Sequence, residues 1–398
     1  MGIQKNMFPR ARIPYGTWGS SYFPAWQASP LAEVNIGQFA AEAMNKVLGL
    51  RKVPKSELDH LITGSTIPWH WKFWNSPMLA SCLGRRVAGC HVEQACATGL
   101  KAVLVAAAEV DGGSSDVAGV LTFDRTSDSP VGIFPERRAH RRTEALSDVW
   151  DNFGFDPSTG RSMICCAGNA ARKYKLDRKE VDELSLCRHE QYFKAQASGF
   201  LAKVLVPFEV LDVQGRVRGV IDADTGVARH TLRGLRAMRE LDTCITSGTQ
   251  THPSDGMACM LVTTREKARE LSRKPEIDIQ FVAKAEVRTS PSLMPEAPAL
   301  AVKDLLRRTG VAMKDIAVVK SHNPFAINDA VFAKEFKYNW REMNRTGCSL
   351  VWGHPQGPTL TRLLIEGLEE ATDLGGGYVL LMGCAAGDVG IAALFRVG

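Results

Sequence analysis

The sequence has no apolar run approaching the ~18 residues of a membrane-spanning helix, and its N-terminal residues contain no apolar stretch of signal-peptide length. Its ten cysteines include no C-x-x-C pair, no zinc-site spacing and no disulfide-scaffold pattern. These absences argue against a membrane protein, a secreted disulfide-rich protein and a zinc-binding motif. We therefore expect a cytoplasmic protein with no metal site.

Positive charge is concentrated in two segments, although the net charge of the 398 residues is only +6. One segment runs from Arg137 to Arg142 and the other from Arg229 to Arg239. Neither contains the aromatic residues that would stack on bases, which argues against nucleic-acid binding. A solvated surface explains each segment, and an anionic cofactor is the alternative.

Helix and strand patterns alternate in the first and last parts of the chain, which is typical of layered α/β folds. Residues 124–252 are more polar and are interpreted as an insertion. A helix is predicted over 36–48, and strands are predicted at 61–64, 117–123, 258–263, 277–283, 316–320, 377–382 and 390–395.

One cysteine stands at the start of a predicted helix, in the segment Glu93-Gln-Ala-Cys96-Ala-Thr-Gly-Leu100. The free N–H groups of a helix N-terminus would lower the thiol pKa from its usual value of ~8.5 and favour a reactive thiolate. Buried cysteines are more often small hydrophobic residues, so this segment alone leaves a structural role open.

Three further segments carry groups suited to acyl chemistry. They are Ser321–Ala326 with one histidine, Trp352–Gly357 with a second histidine, and Met382–Gly390 with a second cysteine. Together with Cys96 they supply a nucleophile, a base, oxyanion donors and a second acid/base, which is the set that acyl transfer requires.

In order and spacing these segments resemble the motifs of the thiolase family. Asn-x-x-Cys-x-Ser-Gly corresponds to residues 93–99, His-Glu-Ala-Phe-Ala to 322–326, Gly-His-Pro-x-Gly to 353–357 and Cys-x-Gly-Gly-Gly-x-Gly to 384–390. The resemblance implies an α/β thiolase fold with a duplicated five-layer α-β-α-β-α core and an inserted loop domain. It divides the chain into an N-terminal half of 1–123 with 253–280, a loop domain of 124–252 and a C-terminal half of 281–398.

The same resemblance implies a role for each reactive group. Cys96, deprotonated by His354, would form the acyl-enzyme, and Cys384 would move a proton to or from the α-carbon of the second acyl-CoA. His354 and a water held by His322 would stabilise the enolate oxygen. The backbone N–H groups of Cys96 and Ala386 would stabilise the tetrahedral intermediate.

Coenzyme A would be a co-substrate beneath the loop domain, with no permanently bound cofactor. The residues expected to contact it are Arg229, Ser247, Thr251 and Phe325. By analogy with the family we expect a homodimer core, and a small zinc-ribbon/OB-fold partner subunit is a further option. Whether the reaction runs in the degradative or the biosynthetic direction is left open.

Several positions depart from the family motifs: Glu93 replaces Asn, Asn323 replaces Glu, Pro324 replaces Ala, and Asp388 adds a charge near Cys384. These changes make it unsafe to assume the substrate of ordinary acetoacetyl-CoA thiolases.

The aromatic segment Trp69–Trp74 contains Trp69, Trp71, Phe73 and Trp74. Core or subunit packing would explain it, and so would a pocket for a bulky aromatic acyl group. The second interpretation favours a benzoylsuccinyl-CoA type of thiolase. The alternatives are an ordinary 3-ketoacyl-CoA thiolase of fatty-acid metabolism and a non-catalytic acyl-CoA-binding subunit. A decarboxylating ketosynthase is disfavoured because such enzymes have no counterpart of Cys384.

Overall fold

The computed structural model describes residues 6–84, 86–127, 129–138, 141–148, 150–212 and 214–398. The side chains of Gln27 and of residues 135–146 are not described, so the side chains of the arginine cluster at 137–142 lie outside the described part of the chain.

The strands follow the apolar runs of the sequence, and those predicted from 61, 117, 258, 277, 316, 377 and 390 are confirmed. Their bounds are β1 Gly19–Ser20, β2 His60–Gly64, β3 Ala88–Val92, β4 Val117–Arg125, β5 Gly132–Arg138, β6 Arg141–Ser147, β7 Phe208–Leu211, β8 Val217–Ile221, β9 Asp255–Thr263, β10 Ile279–Arg288, β11 Ile316–Ser321, β12 Gly377–Ala385 and β13 Val389–Val397.

The helices include the one predicted over 36–48. Their bounds are α1 Ile36–Leu50, α2 Asn75–Leu83, α3 Thr98–Gly112, α4 Asp151–Gly154, α5 Met163–Lys173, α6 Arg178–Ala197, α7 Leu201–Val204, α8 Leu232–Ala237, α9 Arg265–Leu271, α10 Ala297–Thr309, α11 Ala326–Phe336, α12 Ser349–Trp352 and α13 Thr359–Asp373.

Two mixed sheets form the core. The first has the strand order β1-β9-β4-β2-β3, and the second has the order β10-β13-β12-β11. In the first sheet β2 runs parallel to both β3 and β4. In the second sheet β11 runs parallel to β12. Because parallel strands end at the same edge, the segments that follow β3 and β11 are each delivered to one edge of their sheet.

Helices α3 and α13 contact each other; α3 packs on the first sheet, and α13 packs on the second sheet and also contacts β9 and β1 of the first. Helices α1 and α2 pack against strands of the first sheet, and α10 packs against the second. The strands β4 and β9 are almost entirely buried, as expected for strands covered by helices on both faces. The expected five-layer α/β core is confirmed.

The segment between β4 and β9 holds the hairpins β5–β6 and β7–β8 and the helices α4 to α8. It is joined to the core by Asp224, whose two carboxylate oxygens each lie 2.8 Å from the guanidinium of Arg362 on α13. Both side chains of this pair are fully buried. The boundaries 124 and 252 of a separate loop domain stay a prediction.

A helix that crosses a membrane needs a long apolar stretch. Within the described residues none is long and apolar enough to cross one.

Candidate active site

Cys96 lies in a tight turn that joins β3 to α3. Ala95, just before it, has a φ of 44°, a left-handed conformation that non-glycine residues seldom adopt. The N–H groups of Ala97 and Thr98 close the turn by donating to the carbonyls of Gln94 and Ala95. Strain of this kind persists only when the surroundings enforce it, and it is frequent at functional sites.

The turn that carries His354 packs directly on the turn that carries Cys96. A Cβ atom on Gly99, in the first turn of α3, would lie 2.5 Å from the carbonyl oxygen of Gly357. A Cβ atom on Gly357 would lie 2.9 Å from a carboxylate oxygen of Asp124. Glycine at both positions therefore allows the two segments to approach closely.

His322 follows strand β11, and its backbone N–H donates to the carbonyl of Met382 on β12 over 2.9 Å. Its Nδ1 lies 2.7 Å from Oγ of Ser349. Its Nε2 is buried and has no hydrogen-bond partner among the described residues. The ring is thus fixed through one nitrogen, and the other nitrogen is left for a ligand.

His354 is held in the same manner. Its backbone N–H donates to the carbonyl of His252 over 2.9 Å, and its Nδ1 lies 2.7 Å from Oγ1 of Thr359 at the start of α13. Its Nε2, like that of His322, is buried without a partner in the described part of the chain.

The structure brings Cys96, His322 and His354 together from three distant parts of the sequence. One ligand atom from each, the thiol sulfur or a ring nitrogen, lies within 4.8 Å of the other two. The two imidazole rings lie 4.2 Å apart between centroids and are tilted by 38°. A nucleophile and two nitrogen bases therefore face one small volume.

Cys384 lies near the end of strand β12, where it is fully buried. Nδ2 of Asn328 donates to its sulfur over 3.4 Å. Burial raises the pKa of the Cys384 thiol, and the neighbouring sulfur of Cys96 raises it further. The two predicted cysteines thus belong to one site.

Burial raises the pKa of Cys96 to about 12. The backbone N–H groups of Ala386 and of Cys96 itself oppose this rise by hydrogen-bonding the sulfur. The expectation of a thiol pKa lowered by the helix N-terminus is wrong, because α3 begins only at Thr98 and desolvation outweighs the donors. The two N–H groups expected to form the oxyanion hole do point at the sulfur.

Both histidines are neutral near pH 7. Burial lowers the pKa of His354 to about 3, while the Gln356 amide oxygen, which can accept a hydrogen bond from the protonated ring, acts in the opposite direction. Burial, and then the nearby ring of His354, lower the pKa of His322 well below its usual value. The resting site therefore pairs a thiol with a neutral base, rather than a thiolate with an imidazolium.

Comparison with known proteins agrees with this geometry. The family model for the thiolase N-terminal domain matches residues 25–266, and the model for the thiolase C-terminal domain matches residues 276–397. The chain belongs to the thiolase family. Like other thiolases it is an acyltransferase that acts on acyl-CoA thioesters by thiolytic cleavage or by the reverse Claisen condensation. Coenzyme A is a substrate of the reaction.

Similar proteins match this thiolase over almost its full length. A probable acetyl-CoA acyltransferase of Staphylococcus epidermidis is 24% identical and covers 96% of both chains. The beta-ketothiolase BktB of Cupriavidus necator is 25% identical and covers 97% of both. The fold matches the acetyl-CoA acetyltransferase of Bacillus anthracis and human mitochondrial 3-ketoacyl-CoA thiolase. Each has a TM-score of 0.87 over the full length of both chains, at 21% and 19% identity respectively.

Sequence reasoning missed Gln356 in this thiolase. The thiol of Cys96 donates to Oε1 of Gln356 over 3.2 Å, and the same side chain interacts with His354. Gln356 has a φ of 68°, so its backbone is also in the left-handed region. It occupies the variable position of the Gly-His-Pro-x-Gly motif. The feature of the sequence that could have identified it is an amide side chain two residues after His354.

Asp124, at the end of β4, was also missed. Its buried carboxylate accepts hydrogen bonds from the backbone N–H groups of Thr66, Ile67 and Gly357. Burial raises its pKa to about 7, and its negative charge contributes to the raised pKa of Cys96. Asp124 therefore fixes the position of the Gln356–Gly357 turn.

Two of the motif departures have direct structural explanations. Glu93 is exposed and pairs with Lys72 at 3.2 Å. The buried carboxylate of Asp388 accepts the backbone N–H groups of Ser292 and Leu293 over 2.9 and 3.1 Å. Both acids thus engage neighbouring segments.

Asn323 replaces a family glutamate and takes part in a buried hydrogen-bond network. Its Nδ2 donates to Asp329 over 2.8 Å, and its Oδ1 accepts the N–H of Leu350 over 3.2 Å. Asp329 is also paired with the fully buried Arg188 at 2.9 Å. The network supports α11 and α12, the helices next to the two histidines.

The aromatic segment is divided between core and surface. Trp69 is buried and packs edge-on against Phe123 at 5.7 Å. Trp71 and Trp74 are exposed and border an open surface hollow of about 580 Å³ together with Pro77 and Met78. The structure thus places Trp69 in the hydrophobic core and not in a pocket.

The residues expected to contact coenzyme A fall into two groups. Arg229 and Ser247 are exposed, and the guanidinium of Arg229 stacks on Phe193 at 3.9 Å. Thr251 and Phe325 lie closer to the histidines: Thr251 donates its hydroxyl to the carbonyl of Ser349 over 2.5 Å, and Phe325 is buried.

Proposed function

We propose that this thiolase carries its acyl group on Cys96, with His354 as the base that takes the thiol proton. The observation that carries the proposal is the convergence of the sulfur and one ring nitrogen of each histidine within 4.8 Å, in a site where Nε2 of both rings lacks a partner among the described residues. A neutral imidazole accepts the proton as the sulfur attacks the thioester carbonyl. The N–H groups of Cys96 and Ala386, which reach the sulfur, are suited to the tetrahedral oxyanion.

In the second half-reaction Cys384 moves the proton at the α-carbon of the second acyl-CoA. His354 donates to the enolate oxygen together with a water held on Nε2 of His322. Support comes from the burial of Cys384 beside Cys96 and from the buried Nε2 atom of each imidazole, which has no partner among the described residues. Acetyl-CoA or another acyl-CoA leaves as product.

Mass spectrometry of the intact protein tests both roles. Incubation with an acyl-CoA should add one acyl group to the wild-type chain and none to Cys96→Ser. Cys384→Ser should still be acylated, but it should lose exchange of the α-protons of acetyl-CoA with deuterated solvent. Acylation of Cys96→Ser, or unchanged exchange in Cys384→Ser, would contradict the assignment.

We further propose a bulky, aromatic 3-oxoacyl-CoA such as benzoylsuccinyl-CoA as substrate. Trp71 and Trp74 offer an apolar surface, and Lys72 joins this segment to the nucleophile turn through Glu93. A cation between aromatic side chains suits an aryl group that carries a carboxylate.

Parallel assays with acetoacetyl-CoA and an aryl 3-oxoacyl-CoA test the substrate. Trp74→Ala should raise KM for the aryl substrate at least tenfold and leave acetoacetyl-CoA unaffected. Fast cleavage of acetoacetyl-CoA with no cleavage of the aryl substrate would favour the second candidate, an ordinary 3-ketoacyl-CoA thiolase. The names of the relatives, acetyl-CoA acyltransferase and beta-ketothiolase, are the reason for testing that candidate.

Residues 124–252 are proposed as the loop domain over coenzyme A, with the phosphates near Arg229 and Ser247 and the pantetheine chain near Thr251 and Phe325. The reasons are the exposed guanidinium of Arg229 and the hydrogen bond from Thr251 to Ser349, the residue that also contacts His322. Arg229→Ala should raise KM for coenzyme A without changing the acylation rate at saturating substrate.

We propose a homodimer that forms along β3, the edge strand of the first sheet. An edge strand presents unpaired backbone groups to a second copy. Sedimentation should give about twice the chain mass of 43.5 kDa. A higher mass obtained only with a zinc-ribbon/OB-fold protein would indicate the partner subunit instead. All ten cysteines are free, which supports a reducing compartment such as the cytoplasm.

A further inference from the structure

The side chains of Cys96, His322 and His354 are suited to binding a metal ion as well as to catalysis. Within the described residues these three side chains form a group whose sulfur and nitrogen atoms lie within 4.8 Å of one another. Both histidines are at least nine-tenths buried, and the Nε2 of each lacks a hydrogen-bond partner in this part of the chain.

The second nitrogen of each ring is already fixed. Nδ1 of His322 lies 2.7 Å from the hydroxyl of Ser349, and Nδ1 of His354 lies 2.7 Å from the hydroxyl of Thr359. Metal-binding histidines are typically oriented in this way, because a hydrogen bond at one nitrogen sets the tautomer that presents a lone pair at the other. The orienting contacts of a metal site are therefore present before any ion binds.

The donor set selects the class of ion. Two imidazoles and a thiolate suit borderline and soft cations such as Zn²⁺, and exclude Mg²⁺ and Ca²⁺, which require oxygen ligands. Zinc bonds of about 2.0–2.3 Å require ligand atoms to lie roughly 3.5 Å apart, so the three atoms need to move by no more than about 1 Å. The amide oxygen of Gln356, 3.2 Å from the sulfur, or a water can complete the tetrahedron.

We propose that Cys96, His322 and His354 bind one Zn²⁺ ion, which reversibly inhibits the thiolase. Binding converts the thiol of Cys96 to a zinc thiolate and releases its proton to solvent. The ion then occupies the nucleophile and the base at once, so zinc and acyl-CoA exclude each other. Local sequence spacing could not predict this site, because its ligands come from three distant motifs.

Cobalt is the probe for the ligands, because tetrahedral Co²⁺ with a thiolate ligand has characteristic visible bands and a thiolate-to-metal charge-transfer band. Titration of the reduced full-length protein should give these bands at one Co²⁺ per chain. Cys96→Ser should remove the charge-transfer band, and His322→Ala should weaken Co²⁺ binding at least tenfold. Thermal unfolding of each variant checks that it is folded.

Two cysteine variants serve as matched controls. Cys82 is exposed on α2, and Cys384 is next to the site; both are outside the three-residue group. Cys82→Ser and Cys384→Ser should both keep the cobalt spectrum of the wild-type protein. A spectrum that survives in Cys96→Ser, or that disappears in Cys82→Ser, would place the ion elsewhere and overturn the proposal.

The inhibition is tested with Zn²⁺ itself. Zinc should block acylation of Cys96 by acyl-CoA competitively, and a chelator should restore the full rate. Prior acylation should prevent Co²⁺ binding. Acylation that proceeds unchanged with stoichiometric zinc would refute the inhibition. Absence of acylation in zinc-free protein would instead refute the proposed catalytic role of Cys96, and the cobalt spectra would then decide the metal site alone.

Discussion

The thiol of Cys96 donates its hydrogen bond to the amide oxygen of Gln356, 3.2 Å away, and not to a histidine. The same amide stabilises the protonated form of His354, since it acts to raise the pKa of that ring. One oxygen thus accepts the proton in its starting position and again after its transfer to the base. Gln356 is therefore well placed to guide the first proton transfer of the reaction.

Gln356→Met should slow acylation of Cys96 about tenfold, because one hydrogen bond of ~1–1.5 kcal/mol to the transferred proton is lost. Methionine has a similar length and no amide, so the fold should be retained. Single-turnover acylation measures the rate, and Gln356→Glu, which restores an oxygen acceptor, serves as the comparison. Equal rates for wild-type protein and Gln356→Met would show that the amide does not assist the transfer.

Alkylation of Cys96 by iodoacetamide should be slow at pH 7 and should rise about tenfold per pH unit into the alkaline range. The reason is that only the thiolate reacts, and burial raises the pKa of this thiol to about 12. Peptide mass spectrometry after timed labelling measures the rate for each cysteine, with exposed Cys82 as the internal reference. A rate for Cys96 that stays constant from pH 6 to 9 would indicate a stable thiolate and contradict the raised pKa.

Gly99→Ala should lower the free energy of unfolding by about 1–3 kcal/mol and reduce acylation, because the new methyl group would push the Gly357 turn away from Cys96. Gly112→Ala is the matched control in the same helix, since no atom lies within 4 Å of its Cβ position. That substitution should be neutral or slightly stabilising. Urea unfolding and single-turnover acylation compare the two, and similar behaviour of both variants would refute the close-packing argument.

The unfolding free energy should fall as the pH is lowered from 6.5 towards 3, and His354 should account for part of the slope. Its pKa is about 3 in the folded chain and near 6.5 when unfolded, so in this range the unfolded state binds a proton that the native state does not. The group therefore contributes stability at higher pH that is lost on acidification.

Replacing the histidine isolates this contribution. His354→Gln should reduce the slope by up to about 1.4 kcal/mol per pH unit, measured by urea unfolding at several pH values within the range. Groups away from the site titrate in both proteins and cancel in the difference, whereas the titration of His322 also changes because the ring of His354 lowers its pKa. Identical slopes would mean that His354 is protonated in the native state as readily as in the unfolded chain.

The motifs were sufficient to predict that Cys96, His322, His354 and Cys384 come together in the fold, because each lies in a turn or strand end whose backbone is set by neighbouring glycine, proline or apolar residues. The layered core could be predicted for a related reason: buried strands appear as apolar runs of strand length. Local sequence therefore determined both the sheet and the residues delivered to its edges.

What could not be predicted depends on contacts between distant segments. The pKa of Cys96 follows from how deeply the closed fold buries the sulfur, which no local pattern reveals. Trp69 and Trp74 look equivalent in the sequence, yet one packs on Phe123 and the other faces solvent. The role of Gln356 likewise appears only once the two turns are packed together.

The ion pair between Asp224 and Arg362 limits how this protein can be altered. Asp224 belongs to the segment between β4 and β9, whereas Arg362 lies in the first turn of helix α13. Deleting that segment, or grafting one from a relative that lacks the acid, would remove the two-oxygen partner of the buried guanidinium and leave it only the contact with Glu366 on its own helix. Chimeras designed to change substrate choice must therefore exchange the insertion and α13 together.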